Sequence, residues 1–290
     1  VTRRTTIKDL AFRHNTKPAL GLEVLRLADL FARERAGELP ELLTAPQRPQ
    51  FDMILIGLTG KGSMTIDFTP VPLGAGVVTV FARGRVQQFA AAPKTLDAWM
   101  IVFSSEFLAM TPPPRVLAPD WAKPAIAPSA GDLREVLELS AQLAAEHARP
   151  LDAVQPALLG SLLRALILRL ERYVPASVLA PSELQRFFTI LERDCLTTRE
   201  VAHYAKASGL SPRRLGELLL AHTGRSTKQV IDERVVLEHK RLLAHTEISV
   251  KQLAERTGFA EPTNLVKFFR HHTGMTPLAF RTNLPSGRRS

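Results

Sequence analysis

Two short sets of side chains in the last third of this 290-residue chain carry the donors and acceptors that read nucleic acid. The first set is Arg213, Arg214 and Glu217; the second is Thr263, Asn264, Lys267 and Arg270. Arg can grip guanine and Asn adenine through paired hydrogen bonds, and a cation beside them can neutralise phosphate. On a helix, 213 and 217 are neighbours one turn apart, as are 263 and 267, with 270 following on the same face. Arg214 and Asn264 fall on the flanks. Leu215, Leu218 and Leu219, matched by Leu265, Phe268 and Phe269, form the opposite, apolar faces. The expectation is two base-reading helices, with Arg270 assigned to phosphate.

Those helices sit in a sequence that says the same thing twice. Ala205-Lys-Ala-Ser-Gly-Leu210, Leu215 and His222-Thr-Gly224 return as Ala254-Glu-Arg-Thr-Gly-Phe259, Leu265 and His272-Thr-Gly274. A small residue four positions before a Gly, then a second helical pattern, is the grammar of a helix-turn-helix. Thr197 with Glu200 and Ser249 with Gln252 fit the capping box of a first helix. Ser211-Pro212 and Glu261-Pro262 place an oxygen-bearing cap before Pro at the start of each second helix. The His-Thr-Gly repeats read as helix C-termini, where His favours the dipole and Gly closes the last turn.

These residues resemble the AraC/XylS family of bacterial transcription regulators. The resemblance spans Val201 to Arg281 and is densest in Ser249–Phe259 and Phe269–Arg281, with the run Arg234–Leu243 between the two copies. It implies two helix-turn-helix units on one rigid connecting helix, set to enter successive major grooves. Two departures stand out: His239 occupies a position where the family usually has a small Ala, and Thr263-Asn264-Leu265 replaces a Ser-aromatic-Phe run. Base preferences therefore do not transfer from relatives.

Charge agrees with a polyanionic partner. The net charge is +10, and residues 182–290 hold 18 Lys/Arg against 11 Asp/Glu. No apolar run approaches membrane length, and the N-terminus shows no secretory pattern. The single Cys195 excludes an internal disulfide framework and reads as a small structural residue. A cytoplasmic, non-enzymatic protein without cofactors is expected.

Upstream, short apolar runs at Asp52–Leu58, Ser63–Phe68, Val77–Phe81 and Trp99–Phe103 alternate with turn-forming stretches at Thr59–Gly62 and Pro70–Gly76. Gly60–Phe89, with Gly62, Gly76 and Gly84, resembles the cupin-type sensing domain that precedes many AraC-family DNA-binding domains. The expected fold is therefore α+β: a cupin-like β-barrel, a helical segment, and an all-α double helix-turn-helix domain. Residues 1–181 contain only His14 and His147, too few imidazoles for a metal-dependent cupin, so a metal-free barrel is expected. Arg83, Arg85 and Gln87 could recognise an anionic effector at the barrel mouth, or could be solvent-exposed loop residues.

The domains are set at 1–128 (sensing, with a polar N-terminal arm), 129–181 (helices and linker) and 182–290 (DNA binding). The leucine-rich face from Leu158 to Leu170 fits either a dimer seam or packing against the barrel; the family resemblance implies a homodimer. Val174–Pro181 reads as the interdomain linker, and Gly287–Arg289 as a basic tail. Double-stranded DNA, a small-molecule effector and RNA polymerase are the expected partners, and a membrane is not. The rival readings are an architectural DNA binder without an effector and a DNA-targeted enzyme.

Overall fold

A computed structural model of the protein describes residues 8–10, 20–38, 44–90, 95–110, 114–117, 125–173 and 181–284. These divide into two compact units, one within residues 8–180 and one from residue 181 onward. The linker at 174–180, the basic tail and most of the N-terminal arm lie outside the described residues.

The described residues of the first unit form ten strands: β1 (Lys8–Leu10), β2 (Leu22–Arg26), β3 (Gln47–Pro49), β4 (Asp52–Thr59), β5 (Lys61–Ile66), β6 (Thr69–Gly74), β7 (Val78–Phe81), β8 (Gln87–Phe89), β9 (Asp97–Phe103) and β10 (Ala125–Ile126). They form two five-stranded sheets, ordered β1-β3-β8-β5-β6 and β10-β7-β4-β9-β2. The expected barrel is corrected here, because among the described residues the two sheets have ends and no pairing closes them. Pro70–Gly76 is corrected too: most of it is strand β6, not a connection. Pro70 and Pro72 are tolerated there because β6 lies at a sheet edge, where missing N–H donors break no ladder. Two short helices, α1 (Leu27–Arg35) and α2 (Ser105–Leu108), were not anticipated among the strands.

Side-chain alternation along β4 builds two cores at once. Met53 and Leu55 join Met64, Ile66, Val71, Phe81, Phe89, Met100 and Val102 in the core that both sheets and α1 contribute to. Ile54 and Ile56 face the other way, into a cluster with Val78, Ile101 and Phe103. Helices α3 (Ala130–Ala148) and α4 (Gln155–Tyr173) complete that second cluster. Leu159, Leu163, Leu166, Ile167 and Leu170 of α4 are all fully buried in it. At about 1.5–3 kcal/mol for each buried aliphatic side chain, these five are committed to their own unit, while Leu158 of the same run is 42% exposed.

The second unit is all-helical: α5 (Ser182–Asp194), α6 (Val201–Ser208), α7 (Pro212–Thr223), α8 (Thr227–His245), α9 (Val250–Arg256), α10 (Pro262–Thr273) and α11 (Pro277–Asn283). Among the described residues no helix is long and apolar enough to cross a membrane.

Candidate nucleic-acid interface

Each half of the repeat folds as two helices joined by a tight turn. Gly209 ends α6 with φ 76°, and Gly258 takes the matching place after α9 with φ 70°. The closing hydrogen bonds also match: Leu210 N donates to Ala205 O and Phe259 N to Ala254 O, both at 3.0 Å. Ala205 and Ala254 are buried, leaving room for the second helix to cross.

Capping departs from expectation in two places. Ser249 and Gln252 form the complete box at α9, and Ser211 Oγ accepts from Arg214 N at α7. At α6, however, the N-cap is Glu200, without a side-chain cap bond, and Thr197 Oγ1 instead donates to Asp194 O. Glu261 caps α10 by position alone. In both cases a long carboxylate side chain stands where a short oxygen would close the ring.

The second helices present the two faces the pattern called for. Leu215 and Leu219 of α7 and Leu265 and Phe269 of α10 are fully buried. Arg213, Arg214, Glu217, Thr263, Asn264, Lys267 and Arg270 are all exposed. Electrostatically the two surfaces differ. Arg213 Nε donates to Glu217 Oε1 at 3.0 Å, and Arg214 Nη2 to Glu183 Oε1 of α5 at 3.3 Å. Lys267 and Arg270 have no ion-pair partner among the described residues. An exposed i,i+4 pair is worth about 0.3–0.5 kcal/mol, so Arg213 can exchange Glu217 for another acceptor at little cost.

The connecting helix α8 is held by buried charge. Arg234 makes two hydrogen bonds to the Glu192 carboxylate of α5, at 2.6 and 2.7 Å. Glu238 accepts from Arg234 at 3.3 Å and from Arg241 at 3.0 Å, which joins the four groups into one network. Removing one partner from such a network costs about 3–5 kcal/mol, so α5 and α8 move together. Cys195 is buried beside it; burial pushes its thiol up to about 11, which keeps it protonated and unreactive.

His239 lies on the opposite side of α8 and is fully buried. Its Nε2 lies 3.0 Å from Thr257 Oγ1, and that hydroxyl already donates to Leu253 O. His239 must therefore donate from Nε2, leaving a buried Nδ1 without a partner among the described residues. Phe259, Phe268 and Phe269 surround the ring. The position that departs from the family pattern thus reaches the turn of the second repeat.

In the first unit, Arg83 and Arg85 are engaged within the fold. Arg85 Nε donates to Asp67 Oδ2 at 3.0 Å, where Asp67 and Phe68 form the β5–β6 turn with φ of 47° and 70°. Arg83 Nη1 donates to Ser105 Oγ at 2.6 Å, and its backbone N–H to Asp52 Oδ1 at 2.9 Å. Gln87 begins β8 opposite Gln47 and Ile66. The two guanidinium groups have separate acceptors rather than one shared site. Arg199, which the sequence reading passed over, lies over the aromatic rings of the second repeat; nothing in its local sequence signals that contact.

A family model described as a helix-turn-helix domain matches residues 204–283. The HTH-type transcriptional regulator RipA of Corynebacterium glutamicum is 31% identical over 103 residues, covering 36% of this chain and 31% of its own. The HTH-type transcriptional activator RhaR of Cronobacter sakazakii is 27% identical over 142 residues, covering 47% and 50%. The chain thus spans only 31% and 50% of the length of these curated relatives. Among solved structures, the DNA-binding domain of AdpA in complex with a target DNA matches at 25% identity over 36% of this chain and 96% of its own, with a TM-score of 0.32. ToxT from Vibrio cholerae matches at 10% identity over 91% and 98%, with a TM-score of 0.40. Over residues 204–283 the chain thus carries a helix-turn-helix domain, and it is in this C-terminal region that it is similar to HTH-type transcriptional regulators.

Proposed function

We propose that this protein is a sequence-specific DNA-binding transcription regulator, with α7 and α10 as its two recognition helices. The observation that carries the reading is the repeated geometry. Two helix-turn-helix units share one connecting helix, each burying its apolar face and exposing a different set of base-reading groups. Arg213, Arg214, Glu217, Thr263, Asn264 and Lys267 are assigned to base edges, and Arg270 to phosphate. Effector sensing and homodimerisation are assigned to the first unit, on surfaces other than the buried leucine face of α4. RNA polymerase is the partner such a regulator would address.

Competition binding against single-base variants of a selected site tests the assignment. Arg213→Ala should lose about 1–3 kcal/mol of discrimination at one or two base pairs, as expected for a two-bond contact. Equal loss across every variant would remove Arg213 from base reading. Indifference of the unaltered protein to all variants would favour an architectural binder.

A further inference from the structure

The two repeats are joined covalently through α8, but a second, non-covalent link runs between them. The loop between α5 and α6 precedes the first repeat and is tied to it: Tyr204 of α6 is fully buried, and its hydroxyl donates to Thr198 O at 2.8 Å. The next residue, Arg199, lies over Phe259 at 3.9 Å from the ring centroid and over Phe268 at 5.3 Å. Phe259 follows the turn of the second repeat, and Phe268 belongs to α10 itself; their rings are 5.2 Å apart. The backbone closes on the same point. A Cβ at Gly258 would sit 3.3 Å from Leu196 O, tighter than ordinary contact, and its φ of 70° suits glycine. From the α8 side, the His239 contact to Thr257 holds the residue before that glycine.

We infer that Arg199 is a positioning residue: it clamps the first repeat to the aromatic ring pair of the second and so fixes the spacing between α7 and α10. This rests on the proposed DNA-reading function for its consequence, though the clamp itself does not need DNA. With one link, the two recognition helices could pivot about α8. With two links on different sides, they form a closed bracket that accepts one separation of the sub-sites they read. A planar guanidinium suits the role because it lies flat on a ring while keeping its charge.

Two measurements on the full chain test this. In the first, binding is measured on a selected site and on versions with one base pair inserted or removed between the sub-sites. The unaltered protein should discriminate against the changed spacings, and Arg199→Ala should shrink that discrimination about threefold to tenfold. Arg199→Lys, which keeps a cation over the rings, should restore part of it. A uniform loss of affinity that leaves the spacing preference unchanged would reduce Arg199 to a structural residue and overturn the inference.

The second measurement uses no DNA: spin labels on Ala221→Cys and His271→Cys, both exposed positions, report the separation of the two helices. The distribution of distances should broaden in Arg199→Ala, and an unchanged width refutes the clamp. A broadened distribution in a protein that selects no DNA sequence would uphold the clamp and defeat the regulator reading instead.

Discussion

His239 gives the second repeat a stability that depends on pH. Burial holds its imidazole at about 4, and repulsion from the Arg199 guanidinium adds to that, while Glu238 opposes. In the unfolded chain the same ring titrates near 6.5. The folded value is the lower one, so between pH 6.5 and 4 the unfolded state takes up the proton first. Stability is therefore unaffected above about pH 7.5 and falls as the pH drops through that window. The full effect is about 3 kcal/mol, of which about 2 kcal/mol is lost by pH 5. Replacing the ring with His239→Leu removes the titration. At neutral pH it loses the Thr257 hydrogen bond, worth about 1 kcal/mol, and removes an unpartnered buried nitrogen costing about 1–3 kcal/mol. The variant should match or exceed the natural protein at pH 7.5 and exceed it by about 2 kcal/mol more at pH 5. Urea unfolding is followed by helical circular dichroism, to which α3 and α4 of the first unit also contribute, so the transition that differs between the two proteins is the one that reports the second unit. Both tryptophans, Trp99 and Trp121, precede that unit, so their fluorescence serves as an internal control. Asp194, held well below the carboxylate range by Arg193, and His272, lowered by burial, titrate in both proteins and cancel in the comparison. Parallel pH profiles for the two proteins between pH 7.5 and 5 would refute the account of His239.

Three further perturbations follow from the same geometry. Arg270→Ala should flatten the dependence of log affinity on log salt by about one unit, as for the loss of one phosphate contact, and an unchanged slope would take that cation off the backbone. Gly216 lies inside α7, where a Cβ would meet only Thr227 Oγ1 at 3.8 Å, an ordinary contact. Gly216→Ala should therefore stabilise the second unit by about 0.5–1 kcal/mol in urea unfolding; a loss would mean that an unseen neighbour needs that space. Thr79 is fully buried, and its hydroxyl has no partner among the described residues. Thr79→Val should stabilise the first unit by about 1 kcal/mol or more by tryptophan fluorescence, whereas destabilisation would show that the hydroxyl holds water in the adjoining 10 Å³ cavity.

The recognition helices were legible because their signals are local. Periodicity separated Leu215, Leu219, Leu265 and Phe269 from the exposed groups opposite, and Gly209 and Gly258 marked the turns. The buried face of α4 could be read as apolar, but not as facing a sheet rather than a second chain, because periodicity identifies a buried face and not its partner. Sheet order and closure depend on pairings between distant strands, such as β5 with β8, and the barrel expectation failed there. Prolines at 70 and 72 read as a connection because proline is excluded from central strands, and the sequence does not show that β6 lies at a sheet edge, where it is accepted. Thr197 and Glu200 matched a capping box in spacing, yet Asp194 O claimed the threonine hydroxyl first. Arg199 was invisible for a related reason: its partners are 60 and 69 residues further along the chain.

The central claim is that two different recognition helices on one rigid domain read one bipartite sequence. Selection of bound DNA from a random pool, using the 290-residue chain, tests it most directly. The account predicts an enriched motif made of two dissimilar sub-sites in fixed register, with information at one or two positions of one sub-site lost in Arg213→Ala and of the other in Asn264→Ala. A pool that binds without enrichment, or a single sub-site indifferent to one of those substitutions, would contradict it.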